Sequence, residues 1–204
     1  MSRSDIEKLA AERPDFAAIA AWIPKGASVL DLGCGDGSLL RYLKETRSVR
    51  GYGVEINDLD IVSCIANGVN VIQNDLDSGL SDFEDGSFDF VILSQTLQAT
   101  RHTEAIIKEM LRVGREGIVS FPNFGHWKNR LDVLTGNMPV SRELPYQWYN
   151  TPNVHLCTLH DFEDFCRRCA VSITARSVMN GEHEVGLLPN LLGSTAVYRF
   201  QRGL

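Results

Sequence analysis

The sequence predicts an α/β fold built on a mostly parallel sheet, and three observations carry that expectation. Short β-rich runs alternate with longer amphipathic patterns from Ser28 to Phe121, the rhythm of strand–helix crossover units. One of those runs, Phe88 to Leu93, is almost continuously apolar, as a central strand covered on both faces must be. A glycine-rich turn, Gly33-Cys-Gly-Asp-Gly37, stands where the first β-rich run gives way to a helical pattern.

Each element has its own local signal. Pro14-Asp15 opens a helical stretch, Phe16 to Ile23, which Pro24-Lys-Gly26 ends. Ser28 to Leu32 reads as a short buried strand, and Asp36 to about Glu45 as a helix with Leu39, Leu40 and Leu43 on one face. Gly51 to Ile56 holds the second strand. Asn57 or Asp58 caps the next helix, which is expected to turn Ile61, Ile65 and Ala66 inward and to stop at Asn67-Gly68. Val69 to Gln73 is the third strand, and an acidic loop from Asp77 to Gly86 leads into the fourth, Phe88 to Leu93. Thr103 begins a helix containing Ile106, Ile107, Met110 and Leu111, and Gly117 to Phe121 is the fifth strand. Thr158 to Cys169 is helical, with Thr158-x-x-Asp161 resembling a capping box that carries Asp for Glu. Val171 to Val178 and Ser194 to Gln201 supply two final strands. The stretch 123–157 breaks this rhythm. It is rich in aromatic residues and Pro, with one helix at His126 to Leu134, and irregular insertions of that length commonly cover a site or a partner surface.

The 204 residues are enough for one sizeable core, so a single domain over 1–204 is expected. A formal net charge of −6 and the lack of a large Lys/Arg cluster disfavour nucleic acid as a partner. No apolar run is long enough to span a bilayer, and Met1-Ser-Arg-Ser-Asp5 lacks an apolar signal core. Five scattered cysteines then read as reduced thiols in a cytoplasm. Cys166-Arg-Arg-Cys169 has half-zinc-site spacing, but it lies in a helical pattern without a second such pair, so no metal is expected.

Gly33, Cys34, Gly35, Asp36 and Gly37 form a turn whose backbone a ligand can approach closely, next to the free N–H groups of a helix start. Three carboxylates sharpen that general signal. Asp31, two residues before the first glycine, suits a ligand carrying an ammonium and a sulfonium, and would repel a pyrophosphate. The position of the last glycine in a dinucleotide fingerprint is occupied here by Ser38. Glu55, ending the second strand, can accept both ribose hydroxyls of an adenosyl group. Asp75, just past the third strand, can accept from an adenine amino group, with Ile56 and Leu76 as apolar faces for the ring. Ser94 and Gln95, at the end of the central strand, are further contact candidates, whereas Asp89 reads as structural. These carboxylates fall at the carboxyl ends of neighbouring strands, where open α/β sheets bind ligands. The expected fold is therefore the Rossmann-like class I methyltransferase fold. It has a seven-stranded, mostly parallel sheet with helices on both faces and an antiparallel last strand, and its ligand is S-adenosylmethionine or S-adenosylhomocysteine.

A catalytic group is less well marked. Methyl transfer is an in-line displacement in which the protein mainly aligns the nucleophile and removes a proton. His155, His126 and Tyr149 are candidates, with Tyr146 and Asn123 behind them; each has the alternative of packing inside the insertion.

The longer motifs resemble one family. Val29-Leu-Asp-Leu-Gly-Cys-Gly-Asp-Gly-Ser38, Gly51-Tyr-Gly-Val-Glu-Ile56, Ser94-Gln-Thr-Leu-Gln-Ala99, Glu109-Met-Leu-Arg-Val-Gly-Arg115 and Ser120-Phe-Pro-Asn-Phe-Gly-His-Trp127 look like the methionine-biosynthesis protein MetW. Gly136-Asn-Met-Pro-Val140, Leu144-Pro-Tyr146, Trp148-Tyr-Asn-Thr-Pro152 and Asn153-Val-His-Leu-Cys157 extend the likeness through the insertion. The resemblance implies a partner of homoserine O-acyltransferase in methionine synthesis. It leaves open an auxiliary or regulatory subunit, with Trp148 and Tyr149 anchoring the interface, or an active methyltransferase on a small molecule or protein.

Overall fold

The computed structural model describes residues 9–203, so the amino-terminal segment read for a signal core lies outside the described residues. After a first helix, α1 (Pro14–Trp22), the chain alternates: β1 (Ser28–Leu32), α2 (Ser38–Arg47), β2 (Arg50–Glu55), α3 (Asp58–Ala66), β3 (Asn70–Gln73), β4 (Phe88–Ser94), α4 (Thr103–Val113) and β5 (Gly114–Pro122). Then come α5 (Trp127–Leu134), α6 (Leu159–Arg168), β6 (Val171–Asn180), β7 (His183–Glu184), the short α7 (Pro189–Leu192) and β8 (Thr195–Arg202). The sheet order is β3-β2-β1-β4-β5-β8-β6-β7. β1 to β5 pair in parallel, whereas β8 runs antiparallel to both β5 and β6. β7 is an eighth strand of two residues, hairpinned onto β6 at Met179 and Asn180; so short a pairing leaves no alternating run for the sequence to display.

Period-two alternation along the strands explains both cores. Leu30, Leu32, Val91, Leu93, Val119 and Phe121 face α4 and α6, whose Met110 and Phe162 lie in the same cluster. Val29, Phe90, Ile92 and Ile118 face the opposite way, toward Phe16 and Ile19 of α1 and Leu39, Leu40 and Leu43 of α2. Asp31, Ser94 and Ser120 share the parity of this second set, so the strands carry them to the α1 side. Burying a residue such as Leu30 or Ile92 fully contributes about 2 kcal/mol of transfer free energy.

Local capping follows the sequence closely. Asn57 accepts from the backbone N–H groups of Leu59 and Asp60, and Thr158 and Asp161 complete a reciprocal capping box on α6. The expected inward face of α3 is corrected. Ile65 is 66% exposed, together with Leu59 and Val62, and Cys64 is the buried residue of that helix. The small thiol lets α3 sit close to the glycine turn, with Cys64 Sγ 3.1 Å from the Gly35 carbonyl oxygen.

Candidate functional site

The glycine turn leaves β1 and is pinned at once to β2, since Gly33 and Cys34 donate their N–H groups to the Val54 carbonyl at 2.8 and 3.1 Å. Gly33, Gly35 and Gly37 hold φ of +65°, +53° and +77°, left-handed values that glycine adopts without a Cβ penalty. At Gly33 a side chain is excluded twice over, because a Cβ would lie 2.6 Å from Thr96 Cγ2. Gly35 is open, with no heavy atom within 4 Å of the place a Cβ would take. Its amide points at Glu55, whose Oε2 accepts that N–H at 2.8 Å while Oε1 accepts from Ile56 and Asn57 at 2.8 and 3.0 Å.

Gly33, Glu55, Ile56, Asp75 and Leu76 line one cleft of about 240 Å³ at the carboxyl ends of the strands. Asp75 is exposed there and accepts from the Asp77 N–H through Oδ1, which caps a short 3-10 turn, Leu76–Ser78. Thr96, Ala99 and Thr100, from the segment after β4, close the far wall. Thr96 is fixed by donating to the Ser94 carbonyl at 3.0 Å.

Asp31 lies at the carboxyl end of β1, 1% exposed, and its Oδ1 has no hydrogen-bond partner. Burial pushes its carboxyl up from 3.8 to about 8; Arg13 opposes the shift, and the nearby Asp15 and Glu55 reinforce it. Two of those groups belong to a network the sequence reading missed. Arg13 grips Asp15 through Nε and Nη2 at 3.0 and 2.9 Å and donates to Ser94 Oγ at 2.8 Å. The Ser94 and Ser120 hydroxyls each donate to Asp15 Oδ2 at 2.9 Å. Ser94 is thus held in a half-buried polar cluster beneath α1. The available signal was Asp15 itself, a charge on the helical face shared by Ile19, which is otherwise apolar. Gln95, the next residue, holds φ +55°, a strained value for a non-glycine residue costing about 1 kcal/mol.

The other candidates lie elsewhere. Asp36 bonds the N–H and hydroxyl of Ser38 at the start of α2, and Cys34 turns its thiol toward Cys64 at 3.7 Å. His155 is exposed; its N–H and that of Val154 donate to the Gln98 carbonyl at 3.0 and 2.8 Å, so this end of the insertion docks beside the segment after β4. Tyr149 is 69% exposed and meets the Trp148 ring edge-on at 5.6 Å. Tyr146 is also exposed. His126 stands at the N-cap position of α5 without a side-chain capping bond and is buried, with Nε2 unpartnered. Asn123 is occupied structurally, donating to the Asn190 and Gly193 carbonyls. The insertion candidates therefore do not converge on one point. Among the described residues no group of His, Cys, Asp and Glu is arranged to hold a metal, and no helix is long and apolar enough to cross a membrane.

This architecture is widely shared. A methyltransferase from Thermotoga maritima, described as a possible histamine N-methyltransferase, superposes with a TM-score of 0.66 at 17% identity, covering 98% of this chain and 95% of its own. Magnesium protoporphyrin IX methyltransferase from Synechocystis, solved with bound S-adenosylhomocysteine, gives 0.65 at 18% identity over 99% of this chain and 88% of its own. Identities this low establish the fold, that of the class I methyltransferases. In sequence, a protein of Rhodopirellula baltica named bifunctional methionine biosynthesis protein MetXA/MetW is 38% identical over 202 residues, 92% of this chain. The match spans about a third (32%) of that relative's length. Residues 13–200 match the family model described as methionine biosynthesis protein MetW. From the glycine turn through the aromatic insertion to β8, the chain belongs to the MetW family of methionine biosynthesis.

Proposed function

We propose that this chain binds S-adenosylmethionine or S-adenosylhomocysteine in the cleft between Gly33 and Leu76, and through that ligand regulates homoserine O-acyltransferase as an auxiliary partner. The observation that carries the ligand reading is the convergence of Gly33, Glu55, Ile56, Asp75 and Leu76 on one cleft; the buried Asp31, with an unpartnered oxygen, is not in its lining and stands two residues before Gly33 on β1. The donor set suits the ligand. A carboxylate offers about four acceptor sites; three backbone N–H groups occupy those of Glu55, so one ribose hydroxyl fits beside them and a second would displace the Gly35 amide. Ile56 and Leu76 flank the adenine position, with the second oxygen of Asp75 available to an exocyclic amine. Asp31 is the natural counter-charge for the methionyl ammonium and the sulfonium, whose bound form supplies a methyl group with its leaving group built in.

The partnership is supported by the relative that joins the names MetXA and MetW in one chain. It is supported also by the exposed Trp148–Tyr149 pair, since such aromatics commonly anchor interfaces. A ligand derived from methionine would report pathway output by binding two states of the complex with different affinity. Calorimetry with each ligand tests the first part; no heat from either sinks it. Co-purification with homoserine O-acyltransferase, and its activity with and without adenosylmethionine, tests the second. Transfer of a labelled methyl group to a component of cell extract would replace the regulatory reading by that of an active methyltransferase.

A further inference from the structure

A second cavity, about 320 Å³ in volume, lies under the residues that follow α5 and away from the glycine cleft. Its wall carries a carboxylate, Glu143, an imidazole, His126, and two cations, Lys128 and Arg142. The polarity is graded. His126 is 93% buried, being 7% exposed, and its Nε2, without a hydrogen-bond partner, is itself shielded from solvent. Glu143 is half-buried and oriented by two hydroxyls, Ser194 Oγ on Oε1 at 3.2 Å and Ser141 Oγ on Oε2 at 3.3 Å. Lys128 and Arg142 are exposed and form the rim, with Arg142 Nη2 tethered to the Glu12 carbonyl at 3.1 Å.

Burial and Lys128 hold the His126 imidazole below the usual histidine range while Glu143 opposes them, so the ring is a neutral acceptor or donor rather than a cation. A fitting occupant presents a cationic donor inward, to Glu143 beside that neutral ring, and an anion outward, to Lys128 and Arg142. Both charges must lie within one cavity of that volume, the span of a small zwitterion.

We infer that the cavity bounded by His126, Glu143, Lys128 and Arg142 is a binding site for a free α-amino acid, separate from the adenosyl cleft. The ammonium donates to Glu143 beside the neutral His126 ring, and the carboxylate faces the rim cations. The side chain extends toward Asn129 and the cavity mouth. No bond is made or broken, so the site acts by occupancy alone.

The test is calorimetric titration of the full chain with the protein L-amino acids, L-methionine among them, in saturating S-adenosylhomocysteine to block the glycine cleft. At least one should bind with Kd below about 1 mM. The hit's amide, which lacks the carboxylate, and its N-acetyl form, which lacks the ammonium, should each bind at least about tenfold more weakly. Glu143→Gln preserves the shape and one serine contact, the other hydroxyl turning to accept from the new amide, and should also lose about tenfold, whereas Glu55→Ala should leave amino-acid affinity unchanged. Absence of saturable binding by any amino acid overturns the inference, as does a hit insensitive to Glu143→Gln, which would place that ligand elsewhere. Failure of S-adenosylhomocysteine to bind, with amino-acid binding intact and sensitive to Glu143→Gln, would overturn only the adenosyl reading.

Discussion

Gly35 and Glu55 are joined by a 2.8 Å hydrogen bond that ties the turn after β1 to the tip of β2. The carboxylate also accepts from Ile56 and Asn57, so it organises the loop that it is proposed to serve. Glu55→Ala leaves three backbone amides to find water. The expected loss is about 2 kcal/mol of stability and at least tenfold in adenosylhomocysteine affinity, about 1.4 kcal/mol. Denaturant unfolding and calorimetry measure the two separately; unchanged affinity would remove Glu55 from the ribose site.

Gly33 tests the steric side of the same corner. Gly33→Ala forces a Cβ into a left-handed residue and against Thr96 Cγ2. A destabilisation of about 3 kcal/mol is expected from the two costs together. Adding Thr96→Ala should recover about 1 kcal/mol, because it relieves the contact and not the backbone strain. The double-mutant cycle in urea gives the coupling directly.

Asp31 makes stability depend on pH in a defined direction. Its folded carboxyl titrates near 8 against 3.8 ordinarily, so the folded chain holds a proton that the unfolded chain has released. Its contribution is full below pH 4 and is lost as pH rises toward 8. Asp31→Asn should flatten that part of the profile, most visibly between pH 5 and 8. A cationic ligand should ionise the group and release a proton on binding near neutral pH. Titrations in buffers of different ionisation enthalpy would read that proton, and its absence would separate Asp31 from the ligand.

Trp148 and Tyr149 separate interface from fold. Both are largely exposed, so Trp148→Ala and Tyr149→Ala should shift stability by less than about 0.5 kcal/mol. Each should weaken co-purification with homoserine O-acyltransferase several-fold. Normal association by both variants would move the interface elsewhere.

What the sequence made legible was local. The buried run of β1, the nearly continuous apolar run of β4, the Asn57 cap and the Thr158–Asp161 box depend on residues a few positions apart, and each appears where its pattern indicates. The orientation of α3 was not legible, because Leu59, Val62 and Ile65 are as apolar as any core residue, and the small Cys64 faces inward. Nor was the Arg13–Asp15–Ser94–Ser120 cluster, whose members come together only when α1 folds over the ends of β4 and β5. At the cleft, the glycines and carboxylates could be named from the sequence. Thr96, Ala99 and Thr100 could not, since small residues after a strand carry no spacing signal.

The sheet order has a consequence for biosynthesis. β6 emerges from the ribosome before β8, yet it reaches the sheet only through β8, which lies between it and β5. Until β8 is made, β5 presents a bare edge through Ile118, Val119 and Phe121 while β6 has nowhere to dock. The nascent chain therefore passes through an interval with an open, apolar strand edge, the kind of surface that chaperones and neighbouring nascent chains capture. Placement of β8 closes both gaps in one event.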